Sequence, residues 1–183
     1  MPTPPAAIPD LSQLRGVVAP EILAAAEVAS AKLREAGIPH ALAGGLAVGA
    51  HGYPRTTDDV DFLVGDEAFL HHAGGLVTLK VPLIAVGNVR IDMVSIEASK
   101  EGTEQLRPAV ESPAKSEQIP IVPLTTLVYM KLKAGRQKDV ADLVELLKRG
   151  KIDIGAIDGY LERQLPAYVP SWARVKELAA KEE

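Results

Sequence analysis

The run Asp59-Val60-Asp61-Phe62-Leu63-Val64 sets two carboxylates one residue apart inside an apolar, strand-forming stretch. Burying a carboxylate without a compensating partner is costly. A chain that carries this stretch must therefore supply a partner from elsewhere in the sequence or admit one from outside. Side chains alternate faces along a strand, so Asp59 and Asp61 project from one face while Val60 and Phe62 take the other. Like charges held this close repel and raise each other's pKa unless a cation lies between them or a proton is shared. Asp92, in "VRIDMV", again stands between apolar residues on a later strand. If that strand pairs next door, Asp92 supplies a third oxygen ligand.

Three carboxylates with no cysteine or histidine among them suit a hard cation, Mg2+ or Mn2+, of the kind often bound together with substrate phosphates. Gly44 and Gly45 close the short strand of "IPHALAGG" and open the helix-like "LAVGAHG". Glycines at such a turn let backbone amides approach an anion, which is the usual accompaniment of phosphate chemistry. Arg55 and Thr57, just ahead of the acids, are further candidates for the same ligand. Each piece also has a plain structural reading. A D-x-D at a strand end can meet water, Arg55 or Arg90, and a Gly-Gly pair is ordinarily turn chemistry. Their order and spacing together favour a site.

At 183 residues, 47% of them hydrophobic and 24% charged, the chain matches one ordinary globular domain with a real core. No apolar run approaches the roughly 18 residues that a membrane span needs, and "MPTPPAAIPD" lacks the basic start and apolar centre of a secretion signal, so the expected location is cytoplasmic. The absence of cysteine excludes disulfides, thiolate metal sites and a cysteine nucleophile. A net charge of −4 argues against broad electrostatic coating of nucleic acid.

The proline-rich start predicts a loose arm, placed at 1–18, followed by a core at 19–122 and a helical segment at 123–183. "PEILAAAEVASAKLREAG" reads as a helix, with Ile22, Ala26, Ala29 and Leu33 on one face. "DEAFLHHAGG" reads as another, and "LVTLKVPLIAVGNVRIDMVSIE" as two strands turned at Gly87 and Asn88. Ala98 to Gln118 is a polar connection with a short helix, and "IPIVP" a final strand. Four helices follow, in "LTTLVYMKLKAG", "KDVADLVELLKRG", "IGAIDGYLERQL" and "PSWARVKELAAKEE". The expected class is α+β: a small mixed sheet flanked by helices, with a C-terminal helical segment.

The run "GGLAVGAHGYPRTTDDVDFLV", taken with Asp92, resembles the signature of the nucleotidyltransferase superfamily, the DNA polymerase beta-like fold. That resemblance implies that Asp59, Asp61 and Asp92 hold divalent cations and that a nucleoside triphosphate is the substrate, pyrophosphate leaving as the nucleotide is transferred. "PLTTLVYMKLKAGRQKDVADLVELL" is similar to a segment of small bacterial nucleotidyltransferases that include the AbiEii and MenT toxins of toxin–antitoxin systems. By that comparison Lys131 and Lys138 contact nucleotide phosphates, and Asp139 orients a lysine or acts near the acceptor. The implied acceptor is tRNA, a protein or a small molecule, and a cognate antitoxin is an implied partner. The other reading of the same resemblance is a catalytically silent nucleotide-binding or toxin–antitoxin protein.

Residue by residue, Leu124, Leu127, Val128 and Lys131 share a helical face, so Lys131 either serves a site, snorkels or pairs with an acid. Lys138 and Asp142, four apart, predict a helix-surface ion pair. Arg136 reads equally as a phosphate ligand or a solvated turn residue. His51 reads as a packing or hydrogen-bonding residue, the adjacent His71 and His72 as a poor metal pair, and Tyr168 and Trp172 as core anchors of the terminal helices.

Overall fold

The computed structural model describes residues 8–114, 119–149 and 152–181. Its sheet is built around the acidic strand. Four strands, β1 (His40–Leu42), β2 (Asp59–Val64), β5 (Ala85–Val86) and β6 (Val89–Ser95), lie in the order β1-β2-β6-β5. β1 runs antiparallel to β2, β2 parallel to β6, and β5 antiparallel to β6 through the Gly87-Asn88 turn. Val60, Phe62 and Val64 are buried on the face opposite the acids, and Leu63 is buried as well. The strand offsets its two charges by committing all four of its other positions to the core.

Parallel neighbours require a crossover of a dozen or more residues, usually helical. Here residues 65–88 provide it with a small hairpin, β3 (Phe69–His71) against β4 (Val77–Leu79). The helix expected over "DEAFLHHAGG" is therefore absent. The segment forms a 3-10 turn at Asp66–Ala68, then β3, then a reversal in which Gly74 and Gly75 both take φ of 82°. Ala68, Phe69 and Leu70 are contiguous rather than spaced at helical intervals, so no apolar stripe holds a helix on the core. Two successive left-handed glycines instead turn the chain back on itself. His71 and His72 thus lie on a hairpin, paired with Asp66 and Thr78.

Seven helices are present among the described residues: α1 (Pro20–Glu35), α2 (Gly44–Ala50), α3 (Lys100–Glu111), α4 (Leu124–Ala134), α5 (Gln137–Arg149), α6 (Ile154–Gln164) and α7 (Val169–Lys181). α1 starts with Pro20 at its first position and buries Ile22, Ala25, Ala26, Ala29 and Leu33. The polar connection contains all twelve residues of α3, with Leu106, Ala109 and Val110 buried; Gln118 lies outside the described residues. The strand expected in "IPIVP" reduces to a bridge at Ile121 beside Leu42, because prolines at 120 and 123 remove the donors a longer ladder needs.

Part of the stretch expected as a loose arm at 1–18 is packed, Leu14 and Val18 being buried. From residue 8 the described chain rests on α2: the Asp10 amide donates to the Ala50 carbonyl at 2.9 Å, and Leu14 is fully buried in the space left by Gly49. Residues 1–7 lie outside the described residues. A single apolar cluster runs from Leu14 through the sheet to Trp172 and Ala179, so the C-terminal helices and the sheet share one core. The architecture is α+β, a small mixed sheet flanked by helices. No helix among the described residues is long and apolar enough to cross a membrane.

Candidate active site

Parallel register between β2 and β6 sets Asp61 directly beside Asp92 and Asp59 beside Arg90. Because partners in register share a face, the three carboxylates converge, and one oxygen from each of Asp59, Asp61 and Asp92 lies within 4.8 Å of the others. A cluster of three oxygen donors this tight could hold a divalent cation.

The three acids are treated differently by their surroundings. Asp59 accepts from Thr57 Oγ1 at 3.0 Å and from Arg90 Nη2 at 2.7 Å. The same Arg90 nitrogen lies 2.9 Å from Asp92 Oδ2. No hydrogen-bond donor among the described residues reaches the Asp61 carboxylate, although its backbone carbonyl accepts from the Ala43 amide at 2.8 Å. Burial pushes the Asp61 carboxyl above its usual range, and the charges of Asp59 and Asp92 push it further, against the pull of Lys131 and Arg90. An acid whose folded pKa is raised adds stability below that pKa and loses it as the pH rises through it. Asp61→Asn is therefore expected to raise the melting temperature of the cation-free protein at neutral pH, with the gain shrinking as the pH falls toward about 4. Melting curves between those limits, recorded in chelator, check this; a gain independent of pH would remove the titration as its cause.

Gly44, with φ of 59°, is pressed against Asp61 so closely that a Cβ there would overlap the carboxylate. A Cβ on Gly45 would stand 2.8 Å from Thr57 Oγ1 and 3.2 Å from an Arg55 nitrogen. The two glycines are thus the condition for bringing the start of α2 against the acids and the Arg55–Thr57 loop.

Next to the acids lies a buried ionic network. Lys131 Nζ donates to Asp139 Oδ1 at 2.9 Å and stands 2.7 Å from Asp142 Oδ2. Arg55 grips Asp142 with two bonds of 2.6 and 2.8 Å, and Arg136 Nε donates to Asp139 Oδ2 at 2.7 Å. The side chains of Lys131, Asp139 and Asp142 are 8%, 4% and 2% exposed, so the pairs are shielded from water. Burial works to raise the Asp139 and Asp142 carboxyls, but donors outweigh it: Arg136 and Lys131 hold Asp139 below the usual range, and Arg55 and Lys131 do so for Asp142.

Of the residues selected from sequence, Asp59, Asp61, Asp92, Gly44, Gly45 and Thr57 come together, and Arg55 links them to the network. Lys131 takes the acid-paired option and Arg136 sits at the network's exposed rim. The expected Lys138–Asp142 ion pair is not formed: Asp142 is buried and turned toward Arg55 and Lys131, and Lys138 is exposed. Asp142 was missed as the hub of the network, while Arg90, read from sequence as a possible partner of the acids, bridges two of them. The readable signal for Asp142 was its spacing of three from Asp139 and its place beside Leu143 on the inward side of α5. His51 donates from Nε2 to the Val122 carbonyl at 2.8 Å, a structural bond.

No family model and no curated protein matches the chain. Among solved structures, an antigenic nucleotidyltransferase-like protein from Paracoccidioides brasiliensis is similar at 17% identity and a TM-score of 0.39, over 67% of this chain and 72% of that one.

Proposed function

We propose that this protein is a metal-dependent nucleotidyltransferase that moves a nucleoside monophosphate from a nucleoside triphosphate to an acceptor hydroxyl. The observation that carries this reading is the convergence of Asp59, Asp61 and Asp92 from two parallel strands beside a glycine turn that leaves the space next to Asp61 free of any Cβ. The sequence resemblance to the nucleotidyltransferase superfamily supports the same conclusion.

The donor set fits a hard divalent cation, Mg2+ or Mn2+. It offers three carboxylate oxygens, one belonging to an acid that no donor among the described residues satisfies. When bound, such a cation neutralises charge on the attacking and leaving oxygens of phosphoryl transfer. The chain's own residues then have distinct tasks. Asp59 and Asp61 hold the cation from one strand, with Thr57 fixing the Asp59 rotamer. Asp92, 41% exposed at its side chain, also takes the proton of an acceptor hydroxyl. Gly44 and Gly45 give the triphosphate room. Lys131 and Arg136 add positive potential at Asp61 from their places in the network, and exposed Lys138 is available to phosphates. Asp139 orients Lys131.

The acceptor classes that follow from the resemblance are tRNA, protein or a small molecule, with a toxin–antitoxin setting and a cognate antitoxin as the corresponding biology. A second reading, a silent nucleotide-binding protein of the same fold, is favoured by one observation: Arg90 already neutralises Asp59 and Asp92. Transfer of label from each α-labelled nucleoside triphosphate to total tRNA, total protein and an aminoglycoside mixture, with Mg2+ or Mn2+, separates the two. Labelling of one pool that drops to background in Asp59→Asn/Asp61→Asn is the expected result. Cation-dependent nucleotide binding without transfer to any pool would favour the silent protein.

A further inference from the structure

Arg90 is the feature of the site that nucleotide transfer does not require. Its position follows from the β2–β6 register: it lies directly beside Asp59 and two residues before Asp92 on the same strand face. One guanidinium nitrogen stands 2.7 Å from Asp59 Oδ2 and 2.9 Å from Asp92 Oδ2, spanning two of the three carboxylates that form the cation cluster. The side chain is 66% exposed, and among the described residues it makes no further ion pair or hydrogen bond. The other cations near the acids are committed elsewhere, Arg55 to Asp142, Lys131 to Asp139 and Asp142, and Arg136 to Asp139. Among the described cationic side chains, Arg90 alone contacts the acids themselves.

We propose that Arg90 is a built-in competitor of the divalent cation, a guanidinium that takes its place between Asp59 and Asp92 and must swing out for the cation to enter. The inference rests on the metal-site reading above. Geometry and exposure set both its direction and its size. A cation and a guanidinium nitrogen cannot share the same two oxygens. Ion pairs this exposed are weak, so the competition tunes affinity without closing the site. Two such contacts correspond to an expected gain of about three- to ten-fold in cation affinity when the arginine is removed. The device keeps the acids neutralised in the empty protein, which limits their mutual repulsion, and it releases a cation-bearing side chain to the rim of the site when the metal binds.

The test is a titration with Mn2+ alone, followed by the paramagnetic signal of the free ion, on the wild type, Arg90→Gln, Arg90→Lys, Arg136→Gln and Asp61→Asn. Arg90→Gln is expected to bind about three- to ten-fold more tightly than wild type, and Arg90→Lys between the two, because lysine keeps the charge and loses the fork. Arg136→Gln measures the gain from removing a nearby positive charge that touches none of the three acids, and a change below about two-fold is expected. Asp61→Asn is expected to lose binding. Binding that requires Asp61 but is equal in wild type and Arg90→Gln would overturn the competitor role and leave the metal site standing. Equal gains in Arg90→Gln and Arg136→Gln would overturn it too, in favour of a general field effect. No Asp61-dependent binding in any variant would overturn both the metal site and the inference built on it.

Discussion

Asp142→Ala is expected to destabilise the protein by about 3–5 kcal/mol, the cost of leaving a buried charge without its partner. At roughly 2–4 °C per kcal/mol for a chain of this size, the melting temperature should fall by about 6–20 °C. The effect is large because one carboxylate, 2% exposed, satisfies both Arg55 and Lys131. Asp139 still compensates Lys131 in the variant, whereas among the described residues Arg55 retains only its bond to the Thr56 carbonyl. The loss should therefore propagate into the loop that carries Thr57 and so into the setting of Asp59. Asp142→Asn, which keeps an acceptor oxygen, should cost less. The depressed pKa of Asp142 gives a further check. A lowered folded pKa adds stability above the unfolded value and loses it as the pH falls through the folded one, so the gap between wild type and Asp142→Ala should narrow in acid. Urea unfolding at neutral and acid pH measures both effects; a neutral-pH loss below about 1 kcal/mol would mean that the network is as weakly coupled as a surface pair.

The second large effect is expected at Gly44. An alanine at its φ of 59° carries about 1–2 kcal/mol of backbone strain, and its Cβ would fall on the Asp61 carboxylate. Either the start of α2 or Asp61 must move, and each choice disorders the acid cluster. We expect Gly44→Ala to weaken Mn2+ binding by at least about 10- to 100-fold, the range seen when groups that orient metal ligands are lost. Gly37→Ala is the control. Gly37 has a comparable φ of 68° with open space where a Cβ would stand, so it should show the strain in stability and leave cation binding unchanged. Equal losses of affinity in the two variants would trace the effect to backbone strain rather than to the collision with Asp61. Gly45→Ala should fall between them, because the group it meets, Thr57 Oγ1, can rotate away.

The acid cluster was legible because its logic is local. Alternation along β2 sets Asp59 and Asp61 on one face, and the apolar flanks of Asp92 mark β6 as another core strand. The glycine turn was legible for the same reason. What escaped was set by partners distant in sequence. Asp142 looked like the mate of Lys138 because four residues separate them, yet it is claimed by Arg55, which lies 87 residues away. Only the packing of α5 against the 53–58 loop brings that pair together. The 66–75 segment failed differently: its acids and closing glycines imitate helix punctuation, but without a spaced apolar face no helix has anything to bury. Arg90 was named as a candidate partner for the acids, and what the sequence could not show was that a single nitrogen bridges two of them. That outcome depends on a register of the parallel pair that alternation alone does not determine.

The crossover that joins β2 to β6 has a kinetic consequence. Asp59 and Asp61 acquire Asp92 only after residues 65–88 have been gathered and the parallel pair has closed, a contact of long sequence separation made without a helix to shorten the search. The cluster is thus expected to form late in folding. A cation that requires all three acids finds its site only in chains that have completed the pairing, so it should slow unfolding far more than it speeds folding. In a stopped-flow experiment the appearance of cation binding would then mark the closing of the sheet.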